Sequence, residues 1–123
     1  MAVHTQTLEG LSHQLRRCLE LCQESHQSCW RAFDHCLNQG GRYTEDRHLR
    51  LMVDCAQVCQ ASADFMLRSS SFHERICGVC AEVCESCADS CGALISDPVI
   101  RDCAEICREC AVLCREISVI GAA

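Results

Sequence analysis

The sequence predicts an all-α protein, an antiparallel up-down-up-down four-helix bundle with a cysteine-lined interior. Four segments place cysteine and apolar residues three, four and seven positions apart, the period of a helix that buries one face. The connections between the segments are short, so consecutive helices should lie antiparallel beside one another. The single proline, Pro98, falls at a predicted helix start. We expect residues 1–123 to form one domain with one core.

The first two predicted helices are separated by a pair of glycines. The first covers residues 7–38, with Thr7 as its cap, and it ends at the glycine pair that begins with Gly40. The second covers residues 44–68, with Thr44 as its cap and two acidic residues in its first turn. These boundaries predict a tight turn between two long neighbouring helices.

The last two predicted helices begin with their own capping signals. The third begins at Ser71, where Glu74 three positions later completes a capping box, and it ends within residues 92–95. The fourth has Asp97 as its N-cap, directly before the proline, and ends near Val119. These signals divide the C-terminal half of the chain into two further helices.

Cysteine is the dominant feature of the composition, with fifteen among 123 residues. On each predicted helix the cysteines recur at helical spacing, so each helix directs a row of sulfur atoms along one stripe. Four such stripes would converge on one axis. The fifteen candidate metal ligands are Cys18, Cys22, Cys29, Cys36, Cys55, Cys59, Cys77, Cys80, Cys84, Cys87, Cys91, Cys103, Cys107, Cys110 and Cys114.

Two explanations without a metal fit these rows less well. Cysteine can serve as a small hydrophobic residue, but leucine or alanine would fill so many core positions more stably. A disulfide scaffold conflicts with the odd count. It also conflicts with geometry, since Cβ atoms three or four residues apart on a helix are about 5–6 Å apart and a disulfide needs about 3.8 Å.

Among metals, Cu(I) suits the rows best. It is soft, it prefers thiolate, and two or three sulfur ligands satisfy it. One Cu(I) per thiolate leaves a neutral interior, whereas several buried tetrathiolate zinc sites would keep a costly negative charge. We therefore expect on the order of 15 Cu(I) ions per chain. Another soft-metal protein, holding zinc or iron–sulfur clusters, is the alternative, although their usual loop spacings are missing.

The cysteine-rich stretches resemble a known family. Residues 77–87 (CGVCAEVCESC) and 103–114 (CAEICRECAVLC) are similar to bacterial copper storage proteins, and the resemblance extends over residues 15–117. It implies a four-helix bundle that holds multiple Cu(I) ions, a homotetrameric assembly and the cytosolic form of the family. The second helix departs from the pattern, since it offers only Cys55 and Cys59, with Met52, Ser62 and Met66 at neighbouring stripe positions.

Other features of the sequence indicate the compartment and the binding partners of the protein. The N-terminal residues 1–10 show no export signal, so we expect a cytoplasmic protein, and no stretch is apolar enough to span a membrane. A net charge of −6 without a basic stripe argues against nucleic acid. Only Glu45 and His48 match a di-iron motif, so we do not expect an enzyme. The expected partners are copper ions and a protein that donates or accepts copper.

One end of the predicted bundle offers additional soft ligands. Antiparallel packing brings His35, His48 and Met52 beside Cys36, and we expect these three to assist at a copper entrance. At the opposite end, apolar side chains are expected to close the bundle. These are Leu8, Leu11, Leu15, Phe65, Phe72, Ile117 and Val119.

Overall fold

The computed structural model describes the backbone of residues 2–122 and the side chains of residues 13–118. Its four helices are α1 (Ala2–Gln39), α2 (Asp46–Leu67), α3 (His73–Cys91) and α4 (Pro98–Ala122), with short 3-10 helices at Gly41–Thr44 and Gly92–Leu94. Each long helix packs against two others, so that α1, α2, α3 and α4 close a ring around one axis. The predicted four-helix bundle is confirmed. Within the described residues, no helix has the length and apolar character to cross a membrane.

Two of the predicted helix boundaries are confirmed by local geometry. Gly40, with φ of 71°, follows the last residue of α1 in a left-handed conformation that glycine adopts without strain. At the start of α4, the Val99 backbone N–H donates to Asp97 Oδ1 at 2.9 Å, so Asp97 is the N-cap. The start of α1 was predicted wrongly, because the helix already begins at Ala2 and Thr7 lies inside it.

The other two predicted caps, Thr44 and Ser71, are also wrong. Each lies in the connection before its helix, and the helix begins two residues later. Thr44 belongs to a 3-10 helix, where its hydroxyl donates to the carbonyl of Gly41 at 2.8 Å. In the α2–α3 turn, the Phe72 backbone N–H donates to Ser70 Oγ at 3.1 Å. Helix α3 therefore begins two residues after Ser71, and no capping box forms there.

Small side chains fill the centre of the bundle. All fifteen cysteines are 0% exposed, and alanines directly follow several of them in the sequence. Because cysteine and alanine are short, the helices can approach closely and bring sulfur atoms from different helices into contact. The buried alanines of this core are Ala32, Ala56, Ala63, Ala81, Ala88, Ala104 and Ala111.

Among the described side chains that were predicted to close the end of the bundle opposite His48, one does not do so. Ile117 is buried and Phe65 is half-buried, in agreement with the prediction. Phe72 was predicted wrongly: it is 55% exposed, because it lies in the turn before α3, where the Arg75 guanidinium is 5.6 Å from the centre of its ring. Leu15 is half-buried and packs against the core, whereas the side chains of Leu8, Leu11 and Val119 lie outside the described part of the chain.

Candidate metal site: a buried column of thiols

The cysteine sulfurs form a column along the bundle axis. At one end, Cys18 Sγ lies 3.5 Å from Cys114 Sγ, which lies 3.7 Å from Cys22 Sγ. Each contact joins α1 to α4, since the two antiparallel helices place their stripes face to face. The column is therefore built from neighbouring helices and does not depend on a single helix.

The middle of the column brings α2 and α3 into the same network. Cys59 Sγ lies 3.7 Å from Cys80 Sγ and 3.6 Å from Cys84 Sγ. Cys84 Sγ in turn lies 3.6 Å from Cys55 Sγ, and Cys55 Sγ lies 3.8 Å from Cys107 Sγ on α4. A soft metal ion placed anywhere in this region would find sulfur ligands from two or three helices.

Four groups of cysteines are close enough to share one ion, with all sulfurs of a group within 4.8 Å of one another. Two linearly bound sulfurs are about 4.5 Å apart, if the metal–sulfur bond is about 2.3 Å long. Three of the groups share cysteines with one another, so adjacent ions could share bridging sulfurs in that part of the column. They are Cys22, Cys80, Cys110 and Cys114; Cys29, Cys55, Cys87 and Cys107; Cys59, Cys80, Cys84 and Cys110; and Cys18, Cys77 and Cys114.

Two buried serines interrupt the thiol stripes. Ser25 lies on the α1 stripe, and its Oγ atom is 3.4 Å from Cys107 Sγ. Ser62 follows Cys59 on the α2 stripe, and its Oγ atom finds no hydrogen-bond partner among the described residues. The sequence analysis noted Ser62 as a departure of the second helix but did not single out Ser25. Their cysteine-like spacing was the signal that placed both on the inner face.

The other end of the column carries a histidine and a methionine. Cys36 Sγ lies 3.5 Å from His48 Nε2 and 3.9 Å from Met52 Sδ. The structure thus brings these three predicted residues together. The opposite nitrogen of the imidazole, Nδ1, lies 2.7 Å from Ser90 Oγ. Sequence analysis missed Ser90, although its position three residues after Cys87 on the same helix was a usable signal.

A recess of about 280 Å³ opens onto this end of the column. His48 and Ser90 line it together with Arg42 and Glu45, and the two 3-10 helices form its rim. The Arg42 guanidinium donates to the carbonyl of Ala93 at 3.0 Å, which joins the two turns. His48 lies between this recess and the buried thiol of Cys36.

His35 has a different environment from the one predicted. Its Nε2 atom lies 2.7 Å from Asp97 Oδ2, and the Tyr43 hydroxyl donates to the same carboxylate oxygen at 2.9 Å. Hydrogen bonds from His35, Tyr43 and the Val99 N–H lower the pKa of Asp97 despite some desolvation. His35 therefore belongs to a polar cluster that connects α1 to the start of α4. Its Nε2 atom faces Asp97 and not a cysteine sulfur.

The thiols of Cys36 and Cys84 and the imidazole of His48 are neutral at neutral pH. Burial, with the nearby Cys103 and Asp97, raises the pKa of Cys36 to about 11. Hydrogen bonding to Cys110 and other sulfur neighbours raises the pKa of Cys84 well above its usual value, and burial adds to the shift. Burial also lowers the pKa of His48. A metal ion bound here must displace thiol protons, while His48 can offer a nitrogen lone pair at neutral pH.

The sequence profile of the copper storage protein family matches residues 11–119. This chain belongs to the copper storage protein family. A solved structure from Nitrosospira multiformis, the protein Nmul_A1745, is 41% identical and has a TM-score of 0.82, covering 89% of this chain and 98% of that chain. The resemblance predicted from the cysteine motifs is thereby confirmed.

Two solved relatives in this family were studied with copper. The Cu(I)-bound copper storage protein BsCsp3 is 30% identical, with a TM-score of 0.80, and the match covers 85% of this chain and 98% of that chain. The second is a cytosolic copper storage protein from Streptomyces lividans, whose structure with five coppers concerns copper loading. It is 30% identical to this chain. Its TM-score is 0.76, over 87% of this chain and 93% of that chain.

Proposed function

We propose that this protein stores Cu(I), holding many ions on the thiolates inside its helical bundle. One observation carries the proposal: all fifteen cysteines are buried, and sulfurs from all four helices lie 3.5–3.9 Å apart in a column. The membership in the copper storage family and the Cu(I)-bound relative support the same metal. Every cysteine would release its proton to water as its copper–sulfur bond forms. This is a binding role, without a reaction catalysed on another molecule.

Charge separates copper from the alternative metals. A zinc ion on four thiolates leaves a net charge near −2, and the overlapping groups of the column would stack such charges in a dry interior. Cu(I) bound at about one ion per thiolate leaves the column close to neutral. Zinc and iron–sulfur clusters are therefore not favoured as the stored cargo.

The proposed ligands are the fifteen cysteines, assisted at one end by His48 and Met52. Copper would enter through the recess, meet His48 Nε2, and pass to Cys36, which both side chains contact. We assign His35 a structural role, because Asp97 already engages its Nε2 atom.

We further propose that the protein acts in the cytoplasm as a homotetramer and exchanges copper with a donor or acceptor protein. The cytosolic relative supports the compartment. Exposed apolar side chains on the outer faces of the helices, among them Trp30, Val79 and Val112, support self-association. Light scattering coupled to gel filtration measures the assembly, and a mass of one or two chains would contradict the tetramer.

An anaerobic competition titration of the reduced protein tests the storage function. Cu(I) held by a chromophoric chelator is added in steps, and free chelator reports the copper that the protein takes. We expect tight uptake well beyond ten equivalents, approaching about fifteen per chain. Saturation at one to four equivalents would contradict storage and favour a delivery or zinc-like role.

A further inference from the structure

The imidazole of His48 is held between two partners at the outer end of the thiol column. Its Nε2 atom faces Cys36 Sγ at 3.5 Å, and its Nδ1 atom faces Ser90 Oγ at 2.7 Å. The ring is only 4% exposed, so it has little freedom to rotate away from these contacts. The shorter of the two contacts is to an oxygen that carries no charge and that copper binds poorly.

The position of the single ring proton decides whether His48 can accept copper. A neutral imidazole carries its proton on one nitrogen and a lone pair on the other. Cu(I) arriving beside Cys36 needs the lone pair on Nε2, so the proton must reside on Nδ1. Histidine ligands in proteins commonly donate this second N–H to a neighbouring oxygen, which fixes both the tautomer and the ring orientation.

The location of Ser90 suits this task. It lies in the last turn of α3, one residue before Cys91, and it lines the same recess as His48. Its hydroxyl crosses to a side chain of α2 at 2.7 Å, the length of a strong hydrogen bond. Ser90 thus connects α3, which carries more thiols than any other helix, with α2, which carries His48 and Met52.

We propose that Ser90 is a positioning residue for copper loading: it accepts a hydrogen bond from His48 Nδ1–H and thereby presents the Nε2 lone pair to incoming Cu(I). This inference rests on the proposed storage function and names a further residue of the same site. When copper passes on to Cys36, the thiol proton goes to water as the copper–sulfur bond forms, and the Nδ1 proton stays on His48.

The first test needs no copper. Long-range ¹H–¹⁵N correlation spectra of the reduced, metal-free protein identify which nitrogen of His48 carries the proton. We expect the Nδ1–H tautomer in the wild type and in Ser90→Thr, which keeps the hydroxyl. In Ser90→Ala the proton should move substantially to Nε2, from which it can donate a hydrogen bond to Cys36 Sγ. Ser86→Ala, one turn earlier on α3, is the matched control and should leave the tautomer unchanged.

The second test measures the rate of copper transfer from a Cu(I) chelator to the same variants. We expect Ser90→Ala to load about tenfold more slowly, with total capacity unchanged, and Ser90→Thr and Ser86→Ala to load as the wild type does. Adding Ser90→Ala to His48→Ala should slow loading no further, because Ser90 acts through the imidazole.

Three results would overturn the assignment: a wild-type proton on Nε2, an unchanged tautomer in Ser90→Ala, or slower loading that persists in the His48→Ala background. Failure of the storage function gives a different result, because wild type and variants alike would then saturate at a few equivalents while the tautomer pattern stayed as predicted.

Discussion

Helices α2 and α3 line the same column but contribute very different chemistry. Helix α3 carries five cysteines at steps of three and four residues, and every one of them is buried. Helix α2 carries only Cys55 and Cys59, and completes its buried stripe with His48, Met52 and Ser62. Because the ligand types differ, the two helices should have different roles. We propose that the α3 wall supplies most of the storage capacity, while the outer end of the α2 wall supplies weaker ligands for copper loading.

The largest expected effect comes from removing thiols of the α3 wall. The triple variant Cys80→Ala, Cys84→Ala and Cys87→Ala should bind about three fewer Cu(I) ions than wild type, since each ion needs its own thiolate charge. The same competition titration measures this capacity, and circular dichroism checks that the helices remain. Ala is the matched replacement because it already flanks these positions in the core. A capacity equal to that of the wild type would show that α3 is not the storage wall.

Changing the outer end of the α2 wall should affect rate more than capacity. We expect His48→Ala combined with Met52→Leu to slow loading at least tenfold, because both side chains contact Cys36. Capacity should fall by no more than one or two ions. Stopped-flow transfer from a chelator separates the two quantities.

The matched control for this variant lies at the other end of the bundle. His73→Ala combined with Met66→Leu replaces the same residue types near the α2–α3 turn, where the His73 Nδ1 atom is engaged by the carbonyl of Ser70. Its loading should equal that of the wild type. If this control slows loading and the His48 and Met52 variant does not, copper enters from the opposite end.

The smallest expected effect concerns the gap in the α2 stripe. The Ser62 hydroxyl is buried without a partner among the described residues, so Ser62→Ala should raise the free energy of unfolding by about 1 kcal/mol. Anaerobic denaturation of the reduced, metal-free protein measures the change. Ser25→Ala is the comparison, because its hydroxyl contacts Cys107 Sγ and its removal should bring no such gain. A loss of stability in Ser62→Ala would mean that the hydroxyl is satisfied.

The repeating cysteine spacing predicted the column because helical periodicity fixes which residues share a buried face. His48 and Met52 followed from the same logic, since they lie seven and three residues before Cys55 and continue the α2 stripe. His35 failed this logic: it precedes Cys36 by one residue, and adjacent residues on a helix do not share a face. Its pairing with Asp97 depends on how α1 meets the start of α4, which the sequence does not specify.

The hydrogen bonds in the turns before α2 and α3 were the other feature that the sequence patterns did not predict. Thr44 and Ser71 have the residue types of helix caps, but short side chains of this kind bond equally well to nearby turn backbone. In the α2–α3 turn, Ser69 adopts a φ of 54°, and Ser70 Oγ accepts a hydrogen bond from the Phe72 backbone N–H. Ser71 therefore does not cap α3. Ser90 was missed for a related reason, because its partner lies 42 residues away on another helix.

The central claim is that copper occupies the interior column, and anomalous diffraction at the copper edge from crystals of fully loaded protein tests it most directly. We expect a line of copper peaks along the bundle axis, each about 2.3 Å from two or three cysteine sulfurs, with α3 contributing more ligands than α2. The outermost peak should lie beside His48, Met52 and Cys36. Copper found mainly on surface histidines and carboxylates, with the interior sulfurs free of metal, would contradict the account.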